Sequence, residues 1–249
     1  MQNKVNILIS GGSGFLGSNL VNFLFRKKIY NLFLLKRSGS NMSRINKNIL
    51  KKINFISYPN KNLAKIFKKK KIDCVIHCAT NYGSKKNTIS DIIQPNLILP
   101  MQLLDLCYLN NVRCFLNTDT VLDKRVSNYS LSKSQFSEWL LHYSKNFTCS
   151  NIKIEHFFGP GDNETKFVIS TIKSFLHNKK YLNFTLGTQK RDFIFIDDVV
   201  SAMDKILSYS LKKKNGYNLF EVGTGTNVSI KKIVKMIKIL CNRILEKYQ

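Results

Sequence analysis

Tyr129 and Lys133 stand four residues apart in the stretch Tyr129-Ser130-Leu131-Ser132-Lys133, and Thr118 precedes Tyr129 by eleven. Ser134, Gln135, Glu138 and Leu140 predict a helix from Leu131 to Leu141. Residues four apart on a helix share one face, so the phenol and the ammonium point the same way. A tyrosine with an ordinary pKa of about 10 is a poor acid or base at neutral pH. A nearby lysine favours the tyrosinate and is expected to draw that pKa toward neutrality, where proton transfer is most effective. The spacing alone is common, and the pair reads equally well as a tyrosine and a lysine on a solvated helix. The elements around the pair have to decide.

The first of these is an apolar strand, Lys4 to Ile9, running into Ser10-Gly11-Gly12-Ser13-Gly14-Phe15-Leu16-Gly17 and then a helical pattern at Leu20, Val21, Phe23 and Leu24. Strand, glycine loop and helix in that order form the setting of a dinucleotide fingerprint. Gly11 permits the tight turn, Gly14 lets backbone approach a pyrophosphate, and Gly17 lets helix and strand pack closely. Phe15, Leu16 and Gly17 then open the helix whose N–H groups would hold the phosphates. The spacing is G-x-x-G-x-x-G, and glycines also serve ordinary turns. A second strand, Asn31 to Leu35, ends at Lys36-Arg37-Ser38. An acidic residue there would suit the ribose hydroxyl of NAD, whereas two cations suit the 2′-phosphate of NADP. The alternative is a basic loop in a basic protein.

Further strands are expected at Asn54–Ser57, Asp73–Thr80, Val112–Asn117, Asn151–His156, near Leu182, and at Tyr217–Val222. Between them lie a basic helix from about Lys61 to Lys70, a long helix through Asn96, Leu97, Leu103, Leu104 and Leu106, and helices at about Lys166–His177 and Ile230–Leu240. Asp197 is placed to cap a helix that starts beside it. Alternation with short connections predicts an α/β fold, a doubly wound parallel sheet, with ligands at the carboxyl ends of the strands. Gly11, Ala79 and Thr118 all fall there. His77 could be a base or ligand, but inside a strand it reads first as a satisfied core residue. Residues 1–160 are read as a dinucleotide-binding core and 161–249 as a small substrate lobe interleaved with it.

Composition narrows the class. The chain has 249 residues, 43% of them hydrophobic, enough for a sizeable core. No apolar run is expected to reach the ~18 residues of a membrane span. The start resembles no signal segment, and a cytoplasmic protein without a membrane partner is expected. The net charge of +25 would suit an anionic partner. Its lysines are scattered, however, and runs such as Lys68–Lys71 sit where helices should end, where positive charge suits the dipole. Solvated faces, rather than nucleic-acid binding, account for them. Six cysteines show no C-x-x-C pair, so buried free thiols are expected and no metal site.

Together these stretches resemble the extended short-chain dehydrogenase/reductases, the NAD(P)-dependent sugar epimerase/dehydratase family. The likeness spans residues 5 to 234. It is carried by the glycine loop, Asp73–Ala79, Asn96, Thr118, Tyr129 with Lys133, Gly159-Pro160-Gly161-Asp162, and Arg191-Asp192-Phe193 with Asp197-Asp198-Val199. Within the family the text is most similar to ketoreductases that make dideoxyhexoses for surface polysaccharide. The resemblance implies a Rossmann-like fold, NADP (or NAD) as cofactor and a nucleotide-sugar substrate. It implies Tyr129 as proton donor to a sugar ketone, Lys133 on the nicotinamide ribose, and Thr118 on the reacting oxygen. Gly11, Gly14, Phe15, Leu16, Gly17, Lys36, Arg37, Ala79 and Lys133 would meet the cofactor; Asp119, Asn96, His156 and Arg191 the substrate. Arg191 would hold the diphosphate, a task suited to a planar bidentate donor, unless it pairs with Asp192 or Asp198. Asn96 has a structural alternative.

Two departures matter. Lys153 and His156 replace an Arg and an Asn carried by many members. The text after Val222 holds one helix where relatives continue further, so a reduced substrate lobe is expected. Reductase, epimerase and dehydratase share this machinery. Dehydratases of the family carry Thr-Asp-Glu where this chain has Thr118-Asp119-Thr120, which favours the reductase. A 4-epimerase and a nonenzymatic dinucleotide- or nucleic-acid-binding protein are the alternatives. The long helices around Leu97–Leu109 and Leu131–Tyr143 could pair across a homodimer, as in relatives.

Overall fold

The apolar run ahead of the glycine loop forms β1 (Val5–Ser10), buried from Ile7 onward, as expected of a strand covered by helices on both faces. The computed structural model describes residues 4–177, 179 and 182–247, with side chains to residue 243. After β1 come α1 (Phe15–Arg26), β2 (Tyr30–Arg37), α2 (Lys47–Leu50), β3 (Asn54–Tyr58), α3 (Leu63–Lys70) and β4 (Cys74–His77). Then α4 (Ile89–Ile93), a π-helical turn (Gln94–Ile98) and α5 (Leu99–Leu109) form one continuous helical stretch. Next are β5 (Cys114–Thr120), α6 (Asn128–Tyr143), β6 (Thr148–Ile154), β7 (His156–Phe158) and α7 (Phe167–Leu176). The chain ends with β8 (Lys190–Phe195), α8 (Ile196–Ser210), β9 (Gly216–Val222), β10 (Asn227–Ser229) and α9 (Ile230–Lys247).

The chain divides into two compact units. The first, Met1–Ile154 with Val200–Val222, holds a seven-stranded sheet of order β3-β2-β1-β4-β5-β6-β9. All its neighbouring strands run parallel, which makes it a Rossmann-like α/β sheet whose order reverses between β1 and β4. Leu8, Val75, Phe115 and Cys149 lie side by side across four strands. They pack against Leu103, Leu104 and Cys107 of α5 and Phe136 and Leu140 of α6. All six cysteines are buried and free.

The helical stretch Ile89–Leu109, at 21 residues, is long and apolar enough to cross a membrane by length and composition, contrary to the expectation that no run would be. Its apolar face is accounted for by the core, where Leu99, Leu103, Leu104 and Cys107 are buried. β5 runs three residues further than expected, because Thr118, Asp119 and Thr120 all pair with β6.

The second unit, Glu155–Val199 with Gly223–Gln249, carries a three-stranded sheet of order β10-β8-β7. The single strand expected at Asn151–His156 is two: β6 ends at Ile154, and His156–Phe158 pair instead with β8. Among the described residues no strand forms near Leu182. Residues 182–189 are irregular, and the Gly187 and Gln189 carbonyls accept hydrogen bonds from Lys231 and Ile230 at the start of α9. Asp197 lies inside the first turn of α8 rather than capping it, beside Asp198, where carboxylates still oppose the helix dipole favourably. The core of this unit is Val168, Ile237 and Cys241, with Phe158, Phe167, Phe175 and Phe193 against them.

Asp192, buried on β8, ties the turn after β9. Its Oδ1 accepts from the Thr224 hydroxyl at 2.5 Å and its Oδ2 from the Gly225 N–H at 2.8 Å. Asp192→Ala leaves both donors short of a partner and should cost about 2 kcal/mol in denaturant unfolding. Thr224→Val should cost less, because the Gly225 bond survives.

Candidate functional site

The glycine loop is built by close approach. Gly11 has φ +72°, and a Cβ there would collide with the Ala79 backbone at the end of β4. A Cβ on Gly17 would strike the Gly11 carbonyl oxygen. The Gly14 N–H donates to that same carbonyl at 3.0 Å, folding the loop over the start of α1. Gly14 is the N-cap of α1 and makes no side-chain cap, and the first turn holds no acidic residue. Such a helix start favours an anion through its N–H groups and its dipole. Leu16 is buried and Phe15 half-buried, and the Phe15 carbonyl accepts from Asn19 Nδ2 at 2.8 Å. Lys36 and Arg37 are the last residues of β2 rather than a loop beyond it. The Lys36 ammonium lies 5.7 Å from the centre of the Phe55 ring, and Arg37 is exposed.

Tyr129 lies within α6, which begins at Asn128, three residues before the expected start. Ser127 caps it: its hydroxyl accepts from the Ser130 N–H, and the Ser130 hydroxyl accepts from the Ser127 N–H, each at 3.1 Å. Serine replaces the Glu or Gln usual at the reciprocal position, which explains why the start was not legible. The four-residue spacing of Tyr129 and Lys133 therefore falls wholly on one helix face.

Lys133 is 1% exposed, and its ammonium donates to the Thr118 carbonyl at 2.8 Å. Burial pulls its pKa down to about 8, while Asp119 and Cys78 hold it up. Tyr129 departs from expectation. Burial and the neighbouring Tyr82 and Asp119 push its phenol above the ordinary value, and only a hydrogen bond with Thr120 opposes them. Lys133, expected to draw it down, makes its hydrogen bond to the strand carbonyl instead. Within the chain alone, Tyr129 is a phenol that keeps its proton. The Tyr82 ring lies 5.0 Å from that of Tyr129, centre to centre.

The Thr118 hydroxyl, expected on a reacting oxygen, donates instead to the His77 carbonyl at 2.9 Å. Thr120 is the threonine whose hydroxyl lowers the Tyr129 pKa. Period-two alternation along β5 was the available signal, hidden while these residues were placed beyond the strand. Asp119 is buried; its Oδ1 accepts from the Thr120 N–H and its Oδ2 from Asn151, both at 2.7 Å.

Asn96 is 0% exposed and saturated within the chain. Its Nδ2 donates to the Asn81 carbonyl at 2.9 Å and the Ser132 hydroxyl at 3.1 Å. Its Oδ1 accepts from Thr80 at 3.0 Å and the Asn81 N–H at 2.9 Å. It therefore pins the loop after β4 to α6 instead of meeting a substrate, and the π-helical turn that contains it is a feature frequent at functional sites. His77 is a core residue, paired with Ser10 Oγ at 2.7 Å and pushed well below its ordinary pKa by burial and by Lys133.

Arg191 and His156 belong to the second unit. The exposed Arg191 guanidinium donates to the Lys190 carbonyl at 2.7 Å and pairs with no carboxylate among the described residues. His156 lies 3.5 Å from the Glu155 carboxylate and 5.8 Å, ring to ring, from Phe193.

Residues 7–223 match the model of the NAD dependent epimerase/dehydratase family. The chain belongs to that family. It is 34% identical to the CDP-abequose synthase of Salmonella typhimurium over 241 residues, 92% of this chain and 78% of that protein. Among solved structures, dTDP-glucose 4,6-dehydratase from Bacillus anthracis in complex with NAD has a TM-score of 0.82 at 20% identity, covering 96% of this chain and 81% of that one. UDP-glucose 4-epimerase from Thermotoga maritima with UDP-glucose has a TM-score of 0.80 at 19% identity, covering 96% and 83%. The last two likenesses are those of the fold. Membership makes the chain an NAD(P)-dependent short-chain type of enzyme, and the residues present fit a dinucleotide. The Gly11 and Gly17 positions admit no side chain, and the start of α1 offers an uncapped anion seat.

The buried ammonium has a measurable signature. Unfolded, Lys133 keeps its proton to about pH 10.5; folded, it releases it near pH 8. Between those values the unfolded state binds more protons, so stability rises with pH. Below pH 8 the full penalty applies, up to about 3 kcal/mol. Compared with Lys133→Met across pH 6.5 to 10, the unmodified chain should gain relative stability on the alkaline side, read by chemical unfolding at each pH.

Proposed function

We propose that the chain is an NADPH-dependent reductase of a nucleotide-linked 4-keto deoxyhexose, a CDP-4-keto-3,6-dideoxyhexose being the substrate class. The observation that carries this reading is the seat of Tyr129 beside Thr120. Where the family's dehydratases hold a glutamate able to take the sugar's C5 proton, this chain carries Thr120, whose hydroxyl acts on the phenol. Similarity to CDP-abequose synthase supports the same choice.

A nicotinamide coenzyme bound at the glycine loop supplies the hydride. Tyr129 gives its proton to the carbonyl oxygen as that oxygen gains charge, and its raised pKa keeps it protonated until then. Lys133, once drawn from the Thr118 carbonyl, can hold a ribose hydroxyl and stabilise the phenolate left behind. Thr120 orients the phenol. Lys36 and the exposed Arg37 suit a 2′-phosphate, which supports NADP over NAD. The second unit supplies much of the substrate lobe, where Arg191 offers an exposed guanidinium for a diphosphate. The exposed Tyr108 and Leu109 of α5, with Leu131 and Trp139 of α6, support a homodimer formed through these helices. Such a reductase belongs in the cytoplasm.

NADPH should be oxidised, at 340 nm, in the presence of CDP-4-keto-3,6-dideoxyglucose, and Tyr129→Phe should cut kcat by roughly 10²–10⁴-fold while cofactor binding persists. NAD that survives dialysis, with interconversion of 4-epimers and no net oxidation of NADPH, would instead establish an epimerase. The Lys36→Ala/Arg37→Ala double variant should weaken NADPH binding about tenfold or more and leave NADH binding unchanged, by fluorescence titration.

A further inference from the structure

Two residues beyond the apolar row of Leu8, Val75, Phe115 and Cys149, the same face of the sheet carries a polar one. Ser10, His77, Asn117 and Asn151 are register neighbours on β1, β4, β5 and β6, and each is at most 1% exposed. Burying such a row is unfavourable unless its members are partnered. Packing does not demand it, since the preceding row fills the same face with apolar side chains.

Its bonds lead somewhere. Ser10 pairs with His77 at 2.7 Å. On the next two strands the amides run head to tail: Asn117 Nδ2 donates to Asn151 Oδ1, and Asn151 Nδ2 donates to Asp119 Oδ2, both at 2.7 Å. The second oxygen of Asp119 is held by the Thr120 N–H at 2.7 Å. The carboxylate therefore has one orientation, and Lys133 donates to the carbonyl of the peptide group joining Thr118 to Asp119.

We propose that Asn151 and, behind it, Asn117 are positioning residues that lock the Asp119 carboxylate in place as the fixed counter-charge of the Lys133 ammonium. The inference rests on the reading of Tyr129 and Lys133 as the acid–base pair. Lys133 is faced by Asp119 from β5 and by His77 from β4 with Cys78 just after it, and Tyr129 stands one turn away on its own helix. Tyr217 of β9 is faced by Asp119 and Glu138, and Asn151 partly offsets the rise in its pKa. Burial leaves His77 neutral, pushes Cys78 up to about 12, and raises both phenols. Asp119 is the carboxylate among these groups that faces Lys133. A merely structural amide would hold strands together without affecting that charge.

The test compares unfolding free energies with and without Lys133→Met as a function of pH, in the unmodified, Asn151→Leu and Asp119→Asn backgrounds. The pH at which the lysine contribution begins to change marks its titration in the folded chain. In the Asp119→Asn background that pH should fall by about one unit, a tenfold loss of proton affinity, and in the Asn151→Leu background by a smaller amount in the same direction. Combining Asn151→Leu with Asp119→Asn should move it no further than Asp119→Asn alone, because both act through one carboxylate. The alkaline limb of kcat/KM for ketone reduction should move with it. A uniform loss of stability with no movement of the onset overturns the proposal. A moved onset in a protein that reduces no ketone supports the proposal and refutes the redox reading instead. If Asn151→Leu does not fold, Asn151→Ser, polar but too short to reach the Asp119 carboxylate, takes its place in the same comparison.

Discussion

A charged amine sealed inside protein is the constraint around which the first unit is arranged. Removing an ammonium from water is costly unless it gains hydrogen bonds and an opposite charge. Lys133 gains a strand carbonyl at 2.8 Å and the nearby Asp119 carboxylate. Each of these needs its own support. The carbonyl is held by pairing of Thr118, Asp119 and Thr120 with β6. The carboxylate is held by Asn151 and the Thr120 N–H. The helix that carries the lysine is set by its serine capping box and, through Ser132, by Asn96.

The glycine loop meets a different requirement at the same end of the sheet. Gly11 and Gly17 exist because backbone must touch backbone, one against Ala79 and the other against the Gly11 carbonyl. The result is a helix start stripped of side-chain caps, able to accept an anion that the rest of the basic surface only attracts diffusely. One site is made by excluding side chains and the other by burying one, and both lie at the carboxyl ends of parallel strands.

Much of this was legible in particular residues. The alternation of apolar strands with helices predicted the parallel sheet, and the glycine loop sat between β1 and α1 as expected. Tyr129 and Lys133 were correctly paired on a helix, although that helix starts earlier because a serine performs the reciprocal cap. Asn96 was left between two roles, and four hydrogen bonds decide for the scaffold. The break between β6 and β7 was not legible, since Ile154 and His156 read as one strand until their pairing partners are known.

Residue type and spacing alone determined which groups could do chemistry: a phenol, an amine four residues on, a glycine loop, and a threonine where a glutamate would serve elimination. These are local properties, fixed by covalent order and helix or strand period. Only the tertiary structure decided how charge is distributed among them. The phenol is raised rather than lowered, the Thr118 hydroxyl donates a hydrogen bond to the His77 carbonyl, and Asn117 and Asn151, unremarkable in the text, lead to Asp119. Such outcomes depend on burial and on contacts between strands distant in sequence, which no period along the chain encodes.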